Sequence, residues 1–289
     1  MKKSKEYGIP VQQMYSLFGL EELVKKMSQS VYRDYFIIKG GFLLSSVYGL
    51  ETRATLDLDT TVRRMKLDKR MLEEFLSFLE QPENGGNQHF KRLSIRETRE
   101  DFEYAGFKVK LQFLNGRAKI PIVLDITTGE AVLKPIESLE IPLIFESGKL
   151  SMVGYSVEQI LADKLYTTLS YGRIDDTNSR SKDLYDIYFL TKKMKGTICL
   201  DHVGQAVVET MEQRNQLFDL EEGPEVLDSL TQSEYQRQLW KKYQKSHRYA
   251  KDISFSQVMD SVIELYDAIK QETIFFDSKD QSIDEWTME

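Results

Sequence analysis

The 289-residue sequence predicts an α+β protein, with a β-containing half carrying helices over residues 1–150 and an α-helical half over residues 151–289. Three observations predict it. Residues 89–127 hold stretches of alternating apolar and polar side chains, the period of half-buried strands. Before them, short β-prone runs at 35–38 and 56–63 are separated by an apolar segment of helical length. From Ser156 onward the apolar spacing changes to the helical period and keeps it to about residue 272.

The elements follow in order. Residues 9–30 space Val11, Met14, Leu17, Phe18, Leu20, Leu23, Val24 and Met27 as one or two amphipathic helices, with Gly19 as a candidate break. Tyr35 to Ile38 is a strand ended by Gly40 and Gly41, and Phe42 to Tyr48 makes two helical turns closed by Gly49. Leu56 to Arg63 is a buried strand, and Leu67 to Leu79 an amphipathic helix closed by the turn-rich QPENGGNQ. Strands follow at His89–Ile95, Phe102–Phe113 and Lys119–Thr127, the last two joined at Asn115-Gly116, a hairpin signal. In the middle one, Phe107, Val109, Leu111 and Phe113 face one way and Lys108, Lys110 and Gln112 the other. Residues 136–147 continue the β character. Ser156 then caps a helix expected to end at Gly172, and Lys182 to Lys193 forms the next. The acidic stretch from Phe276 is expected to be poorly ordered.

Composition narrows the function classes. With 41% hydrophobic and 29% charged residues the chain is globular rather than disordered. A net charge of −7 does not advertise a nucleic-acid binder, although local cation clusters still bind phosphates. The single Cys199 excludes an internal disulfide framework and a cysteine-rich zinc site, and the three histidines form no ligand pattern. The start MKKSKEYGIP lacks a signal-peptide core and no run of about 18 apolar residues occurs, so a cytoplasmic protein without a membrane segment is expected.

The chemistry centres on Lys39–Val62. Asp57 and Asp59 are i and i+2 on a strand and project side by side, where their repulsion is relieved by a divalent cation. Mg²⁺ favours one or two carboxylates completed by phosphate oxygens. Gly40-Gly41 offers backbone able to approach a phosphate, and Asp125, alone on an apolar strand, is placed as a third carboxylate for metal or proton. That order of motifs points to Mg²⁺- or Mn²⁺-dependent nucleotidyl transfer. On the helical half, Lys164 beside an apolar stripe could reach a triphosphate, Asp183 could orient it or accept a proton, and Arg180 could clamp a phosphate. Simpler roles stand beside these: a strand-to-helix turn for the glycines, a structural ion pair for Lys164 and Asp183, and a solvated strand face for Lys108 and Lys110. The cluster Arg63, Arg64, Lys66, Lys69 and Arg70 is either a basic rim or a solvated helix entry.

The segments KGGFLLSSVYGL (39–50), RATLDLD (53–59), VLDI (123–126), VEQILADKL (157–165) and RSKDLYDI (180–187) resemble the AbiEii/AbiGii-type nucleotidyltransferases of bacterial abortive-infection and toxin–antitoxin systems. The resemblance spans about residues 35–190. It implies a polymerase-β-like nucleotidyltransferase mixed sheet followed by a helical domain that completes the active-site cleft. It implies that Asp57 and Asp59 bind metal and that Lys164 and Asp183 complete the catalytic set, with Asp125 expected beside them as the third metal carboxylate. Lys39, Gly40, Gly41, Arg53, Thr55 and Arg180 are the implied nucleotide-binding residues. An NTP is the implied co-substrate, a tRNA 3′ end the implied acceptor, and a helix-turn-helix antitoxin the implied partner, in growth arrest and phage defence. Transfer to a small molecule or a protein, as antibiotic-modifying or AMPylating relatives perform, is the alternative.

Overall fold

The computed structural model describes residues 2–49, 55–82, 88–98, 106–130, 132, 138–174, 180–214 and 220–284. The chain forms two compact units, residues 1–130 with 135–155, and residues 131–134 with 156–289. It is an α+β protein with a mixed five-stranded sheet and a helical C-terminal region.

The first unit runs α1 (Lys2–Tyr7), α2 (Val11–Ser28), β1 (Phe36–Lys39), α3 (Gly40–Tyr48), β2 (Asp57–Val62), α4 (Lys69–Glu80), β3 (Gln88–Thr98), β4 (Gly106–Asn115), β5 (Ala118–Thr128), β6 (Ser138–Pro142) and β7 (Lys149–Val153). The large sheet has the order β1-β2-β5-β4-β3. Its central pair β2 and β5 is parallel; the other pairs are antiparallel. Alternation along the strands sorts Phe36, Ile38, Leu58, Leu124, Ile126, Val109 and Leu111 onto one face, where all are buried.

Helix α2 covers that face without a break. A Cβ on Gly19 would come 3.0 Å from Ile122 Cγ2 and 3.2 Å from Ile120 Cγ2, so the missing side chain lets helix and sheet approach. Gly19 is therefore a packing residue, and the interruption expected there does not occur. Leu17, Leu20, Leu23, Val24 and Met27 are fully buried. At roughly 1.5–3 kcal/mol each, their burial outweighs the propensity cost of about 1 kcal/mol for one helical glycine. Helix α4 begins at Asp68, whose carboxylate accepts from the Met71 N–H at 2.9 Å. It stacks Phe75 on Phe36 with ring centroids 4.6 Å apart. Strand β3 is irregular between Arg92 and Ser94, a β-bulge at Leu93. Arg92 pairs with Glu73 and Glu80 of α4. Beyond β1, the backbone of Gly154 bridges Ile38, and the Tyr155 N–H donates to the Ile38 carbonyl at 3.0 Å.

Glu21 of α2 is 1% exposed and its carboxylate accepts from the N–H groups of Ile144 and Phe145. Burial raises its pKa above 4.5, opposed by the Ile144 N–H and by Lys25. A carboxyl whose folded-state pKa is raised binds its proton more tightly in the folded state. Its contribution to stability is complete below about 4.5 and is lost as pH rises through the raised value. Glu21→Gln keeps an acceptor for one N–H and should abolish that dependence, so the stability of wild type relative to the variant should fall as pH rises. Urea unfolding across a pH series measures it, and a wild type that gains stability over the variant as pH rises would contradict the assignment.

The second unit is helical: α5 (Val157–Ile174), α6 (Ser181–Lys193), α7 (Leu200–Gln213), α8 (Gly223–Gln232), α9 (Glu234–Ser246) and α10 (Phe255–Asp284). The Gln159 N–H donates to the Ser156 hydroxyl at 3.2 Å, the cap expected from sequence. Gly172 does not end α5. A Cβ there would lie 2.7 Å from Leu230 Cδ1 and 2.9 Å from Val226 Cγ1, so Gly172 lets α8 close on α5. The chain from Phe276 continues α10 to Asp284, with no glycine or proline after Phe255 to stop it. Trp240, fully buried, donates its indole N–H to the Ile253 carbonyl at 2.9 Å. Among the described residues no helix is long and apolar enough to cross a membrane.

Candidate active site

The pairing register sets the site. Lys39 of β1 lies opposite Asp59 of β2, Asp59 opposite Asp125 of β5, Asp125 opposite Lys108 of β4, and Lys108 opposite Arg96 of β3. Directly paired residues share a face, so one row across the sheet carries, in order, a cation, two carboxylates and two cations. Strands are about 4.7–4.9 Å apart, so Asp59 and Asp125 form a like-charge pair on neighbouring backbones. Lys108 Nζ is 3.2 Å from Asp125 Oδ2. Lys39, Asp59, Thr60, Thr98, Asp125 and Thr127 line an open recess of about 310 Å³.

Gly40 is fitted to this row. It stands at φ +68°, at the turn from β1 into α3, and a Cβ there would be 2.0 Å from Asp59 Oδ2. The absent side chain is the space that the Asp59 carboxylate uses. Gly41 follows, buried in the first turn of α3. Asp57 is one row along the same face, and the Thr55 hydroxyl donates to its carboxylate. Arg53 lies outside the described residues.

Sequence reasoning missed the group that engages Lys39. Its ammonium pairs with Glu130, whose side chain is 9% exposed, and donates to Thr127 Oγ1 at 3.2 Å. The Tyr155 hydroxyl donates to the same Glu130 carboxylate at 3.2 Å, and the Lys39 ammonium is 5.9 Å from the centre of the Tyr155 ring. Glu130 is an isolated acid after a strand, so only the fold could reveal it. Among the described residues no three His, Cys, Asp or Glu side chains gather into a metal cage. The row offers a pair of carboxylates rather than a full coordination shell.

The helical unit assembles a second polar cluster of its own. Lys164 on α5 is 2.9 Å from Asp183 Oδ1 and 2.7 Å from Asp186 Oδ2 on α6. The Lys164 and Asp186 side chains are 11% and 1% exposed. Arg180 lies 3.6 Å from Asp183 Oδ2 and stacks on the Tyr171 ring at 3.7 Å. Asp186 is the partner to which sequence reasoning gave no role, although its i, i+3 spacing from Asp183 is visible in the sequence. Lys164→Met would leave the buried Asp186 carboxylate one cation short, and should cost about 3–5 kcal/mol in denaturant unfolding. Lys164→Met with Asp186→Asn should recover much of that loss. If the double variant regains both stability and activity, Lys164 is structural; stability without activity assigns it a chemical role.

The family model described as nucleotidyl transferase AbiEii toxin, type IV TA system, matches residues 22–261 of the chain. Among solved structures, the fold is similar to JHP933 from Helicobacter pylori, with a TM-score of 0.50 and 17% identity over 96% of this chain and 98% of that one. A Helicobacter pylori protein provisionally named a nucleotidyltransferase matches with a TM-score of 0.49 and 18% identity over 91% of this chain and 95% of that one. No curated protein matches the chain in sequence.

Proposed function

The chain belongs to the AbiEii family of nucleotidyl transferase toxins of type IV toxin–antitoxin systems, and from that premise we propose that it transfers a nucleoside monophosphate from an NTP to the 3′ end of a tRNA. Family membership implies a toxin nucleotidyltransferase, an NTP substrate and a cognate antitoxin. The tRNA acceptor, the helix-turn-helix character of the antitoxin, a cytoplasmic setting and a role in phage defence are parts of the proposal.

The carrying observation is the Asp59–Asp125 pair with Gly40 pressed against Asp59. Two paired carboxylates beside a glycine-lined turn suit a hard divalent cation that completes its shell with phosphate oxygens and water. Asp59 and Asp125 would hold Mg²⁺ or Mn²⁺, which when bound would neutralise charge on the triphosphate. Asp57, one row along, is proposed as a third ligand, although the three carboxylates do not gather into one cage in the structure. In the transfer an acceptor hydroxyl oxygen bonds to the α-phosphorus and the bond to the bridging oxygen breaks, releasing pyrophosphate. The hydroxyl proton passes to a carboxylate, for which Asp125 is proposed. Lys39, Gly40, Gly41, Arg53 and Thr55 are proposed to bind the nucleotide; the catalytic roles of Lys164 and Asp183 and the nucleotide-binding role of Arg180 are proposed on the family resemblance alone.

The test is incubation of the purified protein with each α-labelled NTP, Mg²⁺ and total RNA. Label is expected in tRNA with one NTP preferred. Label on protein, on a small molecule or nowhere overturns the acceptor assignment.

A further inference from the structure

The row that carries the carboxylates continues into a face that nothing above explains. On β3, β4 and β5, the side chains sharing the face of Asp125 include Lys91, Arg96, Lys108, Lys110 and Lys119. Lys108 is half-buried against Asp125, and the other four are exposed. Asp125 is the one acid among the described residues of these three strands on this face. Glu97 lies on the opposite face, and Glu73 and Glu80 pair with Arg92, which also points there. Helix α2 packs on the apolar face, against Ile120 and Ile122, and α4 meets that same face at Arg92. In a chain of net charge −7, this concentration of mostly exposed cations on one sheet face is a local feature, not a reflection of composition.

The arrangement has a direction. Successive same-face rows run Asp59–Asp125–Lys108–Arg96, then Asp57–Val123–Lys110–Ser94, then Pro121–Gln112–Lys91, then Lys119–Leu114–His89. At about 3.3 Å per residue, four rows two residues apart cover about 20 Å, leading away from the carboxylates. No Phe, Tyr or Trp occurs among the described residues of β3–β5 on this face; Phe90, Phe107 and Phe113 lie on the other. A face with five cations and one ring, His89 at its far end, holds a strand chiefly by its phosphates rather than by its bases.

We propose that the exposed face of β3–β5 is a track on which a single-stranded RNA end is held by its phosphates, leading to Asp59 and Asp125. The proposal rests on the transfer reading for the identity of the strand, and adds where and by which chemistry the acceptor is held. It makes binding sensitive to salt and indifferent to sequence.

The experiment compares the full-length protein with Lys91→Gln/Lys110→Gln/Lys119→Gln. A control carries the same charge change on α9, Lys241→Gln/Lys242→Gln/Lys245→Gln, at exposed positions. Fluorescence anisotropy with short labelled RNA strands of different sequence gives affinity against salt concentration, and circular dichroism confirms each fold. Three lost phosphate contacts should lower the slope of log affinity against log salt by about 2, with affinity down at least about tenfold at low salt. The α9 control should follow wild type. If both variants weaken equally, net charge alone is responsible and the track is wrong. If wild type labels RNA while the face variant binds it with the wild-type slope, the track is wrong and the transfer reading stands. If the face binds RNA as described but no label reaches it, the track stands and the transfer reading falls.

Discussion

Asp59→Asn should abolish nucleotidyl transfer, by about a thousandfold or more, while leaving the fold intact. Asp59 is the hub of the row, paired with Lys39 on one side and Asp125 on the other, and its carboxylate occupies the space that Gly40 leaves open. Loss of several kcal/mol of metal-dependent charge stabilisation at about 1.4 kcal/mol per decade gives the magnitude. The same substitution removes one member of a like-charge pair, so the melting temperature without metal should hold or rise. Added Mg²⁺ and NTP should raise the melting temperature of wild type and not of the variant, because a ligand stabilises only the state that binds it. A labelled-NTP assay with parallel melting curves checks both parts. Full activity in Asp59→Asn would sink the metal-site proposal.

Gly40→Ala should be nearly as damaging, for a steric reason. At φ +68° any L side chain is strained by about 1–2 kcal/mol. The new methyl would stand 2.0 Å from Asp59 Oδ2, which forces the carboxylate out of its position in the row. Activity should fall by a hundredfold or more, with a lower melting temperature. Gly49→Ala is the matched control: Gly49 has φ +99°, and a Cβ there meets nothing within 4 Å among the described residues. It should lose stability without the loss of activity. Equal activity losses in the two variants would mean that backbone strain, not the Asp59 contact, is responsible.

How much of this was legible in the sequence depends on the range of the interaction. The hydrophobic period predicted the strands of 88–128 and the helices after Ser156, because local patterning determines which face is buried. The order of Gly40-Gly41, Asp57, Asp59 and Asp125 was visible as a motif, and so was the i, i+3 pair Asp183 and Asp186. What could not be seen is register. That Asp59 lies opposite both Lys39 and Asp125 follows from an antiparallel and a parallel pairing, one of which joins residues far apart in sequence. Glu130 and Tyr155 are likewise ordinary residues until the fold brings both to Lys39. The two glycines taken as helix breaks, Gly19 and Gly172, show the converse. Their local propensity was overridden by contacts with Ile122 and with Leu230, supplied by distant segments.

The bulge at Leu93 has a consequence for how the protein behaves among copies of itself. Among the described residues strand β3 is an edge of the five-stranded sheet with no further strand beside it, whereas β1 at the opposite end meets the backbone of Gly154. A straight edge strand presents a continuous ladder of unpaired amides to any passing chain. In β3 the extra residue breaks the ladder's spacing, and Lys91, Arg92 and Arg96 place charge along it. A toxin accumulating in a cell would otherwise tend to be removed by its own aggregation. The interrupted, cationic border is a poor template for further strands.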